Sequence, residues 1–263
     1  MAAGFSRVAI VGCGLIGGSI ELAVRERQRD VQLLTLDRED DLARVEGADL
    51  VLLAAPILEI VRTLPRLRTH VSPDALITDT GSTKAAIVEA ASGMRFIGGH
   101  PIAGAAASGR EAARADLFDG RTWILTPTAE TRQDDVERLR AFVETLGARP
   151  HLMDSEEHDR ILALVSHLPQ MAVSALMHVV GSQAGSDGLA LAGAGLRDST
   201  RLAASPAGIW RDIAASNHTH LASGIDALIA ALSALRDDDS GEALQRIFES
   251  AARWKQALEH RPI

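Results

Sequence analysis

The chain has 263 residues, 46% hydrophobic and 24% charged, a globular composition long enough for one large domain or two ordinary ones. Its net charge of −8 argues against a nucleic-acid partner, and no apolar run in the sequence approaches the ~18–20 residues of a membrane span. Tyrosine is absent, which excludes dehydrogenase mechanisms that use a tyrosine acid beside a lysine, and lysine occurs only at Lys84 and Lys255.

The first predicted strand, Val8-Ala-Ile-Val11, runs straight into Gly12-Cys13-Gly14-Leu15-Ile16-Gly17, and a helix is predicted from Ile16 to about Arg27. This G-x-G-x-x-G between strand and helix is what a dinucleotide site needs. Gly12 permits the tight turn, Gly14 lets backbone approach a pyrophosphate, and Gly17 lets the helix pack closely on the strand. The helix N-terminus then presents free N–H groups to the phosphates. A second strand, Val31–Leu36, ends in Asp37, about twenty residues beyond Gly17, where an acid commonly binds the ribose hydroxyls. Asp37 favours NAD, whereas Arg38 beside it could accept a 2′-phosphate, so NADP stays open. Cys13 cannot form an internal disulfide and is expected to be structural. With the first apolar run read as a strand and not as a leader, a cytoplasmic location is expected.

Further strands are predicted at 48–54, closed by Ala55-Pro56, at 75–79, at 94–97 and at 121–125. Helices are predicted near 58–67, from Lys84 to about Ala91, and over 134–146. This alternation predicts an α/β fold, a Rossmann-type doubly wound parallel sheet, with ligands bound beyond the carboxyl ends of its strands. Asp37, Pro56, Ser82 and His100 all fall at those ends. After residue 153 the pattern becomes all-helical. Asp154 and Glu157 read as a helix-start box, and Ser205-Pro206 as a cap with a first-turn proline. Apolar stripes follow at 209–215, 221–235 and 243–258, and Asp237–Asp239 reads as a solvated turn. The expected organisation is a dinucleotide-binding domain over 1–153 and a helical substrate-binding and dimerisation domain over 154–263. No repeat and no appended regulatory domain is expected.

His100, in the run Gly98-Gly-His-Pro-Ile-Ala-Gly104, reads as a catalytic residue in an irregular turn, where the glycines let backbone pass close to a ligand. A histidine there suits oxidation of an alcohol, because it can accept the hydroxyl proton as hydride leaves for a nicotinamide. Ser82 is either a partner that orients the hydroxyl or His100, or simply a helix N-cap. Pro169, in Val165-Ser166-His167-Leu168-Pro169-Gln170, is expected to kink its helix. His167 alone reads more readily as a satisfied core histidine than as a ligand-binding one. Arg197 and Arg201 are candidates for a carboxylate clamp or for surface salt bridges. His218 and His220 form no ligand set with an acid, and no metal is expected.

Together, Gly12–Ser19, Asp79-Thr-Gly-Ser-Thr-Lys84, Gly99-His-Pro-Ile-Ala-Gly104, Ser166-His-Leu-Pro169, Arg197-Asp-Ser-Thr-Arg201 and Trp210-Arg-Asp-Ile213 resemble the prephenate/arogenate dehydrogenase family. The resemblance implies NAD(P)-dependent oxidative decarboxylation in tyrosine biosynthesis, of prephenate to 4-hydroxyphenylpyruvate or of arogenate to tyrosine. It implies that His100 accepts the ring-hydroxyl proton and that Ser82 hydrogen-bonds both. It further implies that Ser166, His167 and Gln170 line the substrate pocket, that Arg201, with Arg197 nearby, pairs with a carboxylate, and that Trp210 packs near the pocket or dimer seam. Gly12, Gly14, Leu15, Ile16, Gly17, Asp37, Arg38, Ala55 and Pro56 would hold the cofactor.

Two departures touch substrate choice. Many members carry a second histidine where this chain has Gln170, and often a Thr-Glu-Lys run where it has Ala105-Ala106-Ala107. Alternatives are a β-hydroxyacid dehydrogenase with Lys84 as acid, or an NAD-binding regulator without turnover. A homodimer through the helical part is expected, because its many apolar faces exceed what so short a segment can bury.

Overall fold

The computed structural model describes residues 4–103 and 109–260; Gly104 and the Ala105–Ala107 departure lie outside the described residues. Seven strands form one sheet: β1 (Arg7–Val11), β2 (Gln32–Leu36), β3 (Leu50–Leu53), β4 (Leu76–Asp79), β5 (Phe96–Pro101), β6 (Thr122–Thr126) and β7 (Arg149–Leu152). Their order is β2-β1-β3-β4-β5-β6-β7. The chain steps from β1 to β2 on one side and crosses to β3 on the other. The carboxyl ends of β1 and β3 therefore flank the point of reversal, where ligands bind in such sheets.

Every residue of β3 and β4 is buried, as expected for parallel strands covered by helices on both faces. The covering helices α1 (Leu15–Arg27), α2 (Ile57–Leu67), α3 (Ala85–Ala90) and α4 (Gln133–Thr145) lie close to the predicted segments. Two cores result. Val8, Ile10, Ile20, Leu52 and Trp123 belong to one, and Ala9, Val51, Ile60, Leu64 and Ile77 to the other. Alternate residues of one strand thus feed opposite faces.

The parallel order stops at β5. β6 runs antiparallel to β5, and β7 is parallel to β6, so the sheet is mostly, not wholly, parallel. β7 was not legible: Arg149-Pro-His-Leu has no apolar alternation and lies at the sheet edge.

Helices α5 (Ser155–Leu162), α6 (Leu168–Ala190), α7 (Ala194–Ser199), α8 (Ala207–Ser216), α9 (His218–Arg236) and α10 (Glu242–Glu259) complete the chain. Residues 1–162 with 205–218 form one compact unit, and 163–204 with 219–263 the other. By contacts, therefore, the division differs from the expected one at 153. α5 joins the sheet unit because the Asp159 carboxylate accepts the N–H groups of Lys84 and Ala85 at the start of α3. α8 joins it through Ile213, buried in the second core, and Trp210, packed against that core.

In the second unit, residues 163–167 form a π-helical turn directly before α6, and Pro169 occupies the first turn of α6. A proline in a first turn loses no helical hydrogen bond, and the widened turn ahead of it accommodates its ring. Gly224 of α9 lets that helix approach this segment; a Cβ there would lie 3.2 Å from a Leu164 methyl and 3.5 Å from one of Leu168. The glycine-rich stretch 181–195, where the helical pattern of the sequence is interrupted, is mostly helical, broken at Gly185 (φ 62°). Between Ser155 and Ala190 lies an 18-residue window of mean hydropathy 1.4, only 17% buried, so a stretch with the length and apolarity of a span does occur. It was missed because its scattered small polar residues interrupt any continuous apolar run.

One local reading is corrected and two gain detail. Pro206, not Ser205, is the N-cap of α8. Asp238, inside the acidic run read as a solvated turn, accepts the N–H groups of Gly241 at 2.9 Å and Leu244 at 2.8 Å and so caps α10. Asp154 accepts from Glu156 and Glu157 N–H at 2.9 and 3.2 Å, the cap half of the expected box.

Candidate active site

The glycine turn is stitched to both neighbouring strands. Gly12 N–H donates to the Leu36 carbonyl at 2.8 Å, and Ala54 N–H to that of Val11 at 2.7 Å. Gly12 has φ 105°, and a Cβ on it would sit 2.3 Å from the Ala54 carbonyl oxygen. A Cβ on Gly17 would sit 1.9 Å from the Gly12 carbonyl oxygen. Both glycines are thus demanded by the protein's own packing. Gly14 is not: it is exposed, and a Cβ there would meet nothing within 4 Å. It is the N-cap of α1, which has no side-chain cap and no acid in its first turn. Open space against free helix N–H groups is the cradle that a pyrophosphate fits. The side chains of Leu15 and Ile16 pack on the first core, leaving their backbone as the part that could meet a cofactor. Ala55 is half-buried and Pro56, exposed, is the N-cap of α2.

Asp37 follows β2 directly and is exposed. Its carboxylate accepts the Arg38 N–H at 2.8 Å, and its own N–H is held by Asp40 at 2.8 Å, which fixes the turn. Asp37, Arg38, Glu39 and Asp40 line a surface pocket. The Arg38 guanidinium is ion-paired with Glu59. Cys13 is half-buried, its thiol 3.5 Å from the Leu36 carbonyl; burial, and then the Asp37 charge, push its pKa up.

His100 lies in β5, opposite Ile124 of β6, and not in an irregular turn. The glycines before it are demanded by the sheet's own packing. A Cβ on Gly98 would sit 2.3 Å from Thr126 Oγ1, and one on Gly99 2.4 Å from the Asp79 carbonyl oxygen. Asp79, fully buried at the end of β4, accepts the Gly99 N–H at 3.0 Å and the Gly81 N–H at 2.7 Å, and pairs with the Lys84 ammonium. Lys84 Nζ also donates to the Gly99 carbonyl at 2.7 Å. Burial pushes the Lys84 pKa down, opposed by the Asp79 charge. With no exposed side-chain surface, Lys84 is a strut between strand ends and cannot reach a substrate as the acid of a β-hydroxyacid dehydrogenase.

His100 Nδ1 lies 2.9 Å from His158 Nε2, the rings meeting edge to face with centroids 5.1 Å apart. His158 Nδ1 in turn lies 2.7 Å from Asp159 Oδ1. Both are fully buried. Sequence reasoning passed over this pair, although an adjacent His-Asp at a helix start was a visible signal. Ser82 is half-buried on the turn between β4 and α3, but Lys84 is the N-cap of α3, so the N-cap reading of Ser82 is not met.

The remaining predicted residues belong to the second unit. Ser166 is half-buried and His167 buried, both in the π-helical turn. Gln170 is buried, and its amide N–H groups donate to Ser174 Oγ at 3.0 Å and the Leu202 carbonyl at 2.9 Å. The first bond lies within α6; the second ties α6 to the 201–204 turn that carries Arg201. Arg197 and Arg201 are exposed, and neither has an acidic partner among the described residues.

A glycine-turn nucleotide cradle and a histidine held at the end of the central strands define an oxidoreductase-type dinucleotide protein. Residues 7–152 match the nucleotide-binding domain of prephenate dehydrogenase, and residues 154–250 match its dimerization domain. The chain belongs to the prephenate dehydrogenase family. It is 30% identical to the prephenate dehydrogenase of Bacillus subtilis, over 95% of this chain and 76% of that protein. Among solved structures it is similar to a prephenate dehydrogenase from A. aeolicus in complex with hydroxyphenyl propionate and NAD+ (28% identity, TM-score 0.88, 99% of this chain and 100% of that one). It is also similar to Synechocystis arogenate dehydrogenase (29% identity, TM-score 0.79, 95% and 99%).

Proposed function

We propose that the protein catalyses the NAD+-dependent oxidative decarboxylation of prephenate to 4-hydroxyphenylpyruvate in the cytoplasm. The carrying observation is the position of His100, in the strand braced by Asp79 and Lys84. NAD+ supplies the hydride acceptor. Gly12, Gly14 and Gly17 with the backbone of Leu15 and Ile16 take the pyrophosphate, Asp37 takes the adenosine ribose, and Ala55-Pro56 borders the cofactor. Asp37 and the pairing of Arg38 with Glu59 both favour NAD over NADP, because the guanidinium is already engaged.

His100 takes the ring-hydroxyl proton as hydride leaves the same carbon. Loss of CO₂ then leaves a phenolate, to which His100 returns the proton. Ser82 orients the hydroxyl. Ser166 and His167 contact the ring, and Arg201, with Arg197, holds a carboxylate. Gln170 acts mainly by holding the turn that carries Arg201. Decarboxylation restores aromaticity, so the chain has chiefly to position the ring and manage one proton.

Residues 1–153 carry the cofactor role and 154–263 the substrate and dimer roles, with α5 and α8 lent to the sheet unit. A homodimer is supported by the dimerization-domain match and by Phe248, Trp254 and Leu258 of α10, which are 63%, 74% and 68% exposed. Arogenate is the second reading, favoured by the likeness to an arogenate dehydrogenase and by Gln170 in place of a second pocket histidine. The test is NADH or NADPH formation with each substrate and each cofactor. Turnover of prephenate with NAD+ supports the proposal; no turnover of either substrate overturns it.

A further inference from the structure

The mechanism uses His100 but leaves a buried His-Asp pair behind it unused. His158 and Asp159 are both buried, and their polar atoms form one line ending on the His100 ring. Asp159 is itself fixed: its Oδ1 accepts the Lys84 N–H at 2.7 Å, its Oδ2 accepts the Ala85 N–H at 2.9 Å, and its carbonyl accepts from Asn217 Nδ2 at 2.7 Å. These contacts all lie within the sheet unit.

We infer that His158 and Asp159 are positioning residues that set the tautomer of His100. An ionised carboxylate can only accept, so Asp159 requires the proton of a neutral His158 on Nδ1. Nε2 of His158 is then bare and can only accept. It therefore requires a proton on His100 Nδ1, 2.9 Å away. The neutral His100 ring is left with Nε2 as its acceptor nitrogen, the form that a proton-accepting base needs. The groups facing His158 are thus His100 from β5 and Asp159 on its own helix; Lys84 lies beyond Asp159 at the start of α3. The other His100 tautomer would offer a donor where the hydroxyl proton must arrive. The inference rests on the reading of His100 as proton acceptor.

Two measurements on the full chain test it. In the wild-type NAD+ complex, ¹⁵N NMR of labelled histidines should show His100 protonated at Nδ1 and bare at Nε2. A His100 protonated at Nε2, which a doubly protonated His158 would produce, overturns the inference without any variant. In kinetics, His158→Leu should lower kcat by about 10–100-fold, the scale on which hydrogen-bond partners of metal-bound histidines matter. KM should stay within a few-fold. His158→Gln, whose amide oxygen can accept from His100 Nδ1, should recover most of that loss. An unchanged kcat in His158→Leu, or equal impairment of the two variants, contradicts the tautomer role. Failure of the proposed reaction itself would appear as absent wild-type turnover, which leaves the NMR result interpretable.

Discussion

Lys84 Nζ donates to the carbonyl of Gly99 at 2.7 Å, so the peptide leading into His100 is held by an ammonium group that solvent does not reach. The same ammonium pairs with Asp79, whose other oxygen accepts the Gly99 N–H at 3.0 Å. Both polar groups of Gly99 are therefore fixed by one buried ion pair. Such a pair contributes little net stability relative to apolar packing, but removing one partner strands the other charge. Lys84→Met should destabilise the fold by about 3–5 kcal/mol, because Asp79 is left buried without its cation. Chemical denaturation measures this, and a loss below ~1 kcal/mol would show that Asp79 is satisfied by its backbone donors alone.

Gln170→Leu should raise KM for the substrate more than it lowers kcat. The variant removes the amide bonds to Ser174 and to the Leu202 carbonyl, releasing the turn beside Arg201. An unchanged KM in steady-state kinetics would separate Gln170 from the carboxylate end of the substrate.

How much of this was legible in the sequence depends on whether the signal was local. The glycine turn, Asp37 and four of the covering helices follow from period and spacing, and the structure places them close to where the pattern did. The packing role of the glycines at 98–99 was not legible, since a glycine admits a ligand or a neighbouring strand equally well. Only the 2.4 Å clash with the Asp79 carbonyl shows that the neighbouring strand requires Gly99. The reversal at β6 was hidden because strand direction leaves no mark on composition. His158–Asp159 escaped notice because its partner, His100, is 58 residues away in the chain. Lys84 was considered as an acid only because its complete burial is a property of the fold.

Asp37→Ser should move cofactor preference toward NADP, by removing the carboxylate that repels a 2′-phosphate. Adding Glu59→Gln should extend the shift, since it releases Arg38 from its ion pair. The ratio of kcat/KM for the two cofactors reports this; a ratio unmoved in the double variant would place the adenosine ribose elsewhere.

Asp135 is buried and bidentate to Arg95, whose hydrogen bonds hold its pKa below the ordinary carboxylate range despite burial. A depressed folded pKa contributes stability that is present above the unfolded value, near ~4, and is lost as pH falls through the folded one. Arg95→Met should therefore lower Tm clearly at neutral pH, and the gap to the wild type should shrink in strong acid. A gap of constant size from neutral to acid pH would assign the effect to packing.

The proposed reaction turns on His100 as the proton acceptor in an NAD+-linked oxidation of prephenate. The most direct measurement compares single-turnover NADH formation from prephenate by the wild type and by His100→Asn, with substrate affinity measured separately. The wild type should form NADH rapidly and the variant about 10²–10⁴-fold more slowly, with binding retained. A variant that forms NADH at the wild-type rate would contradict it.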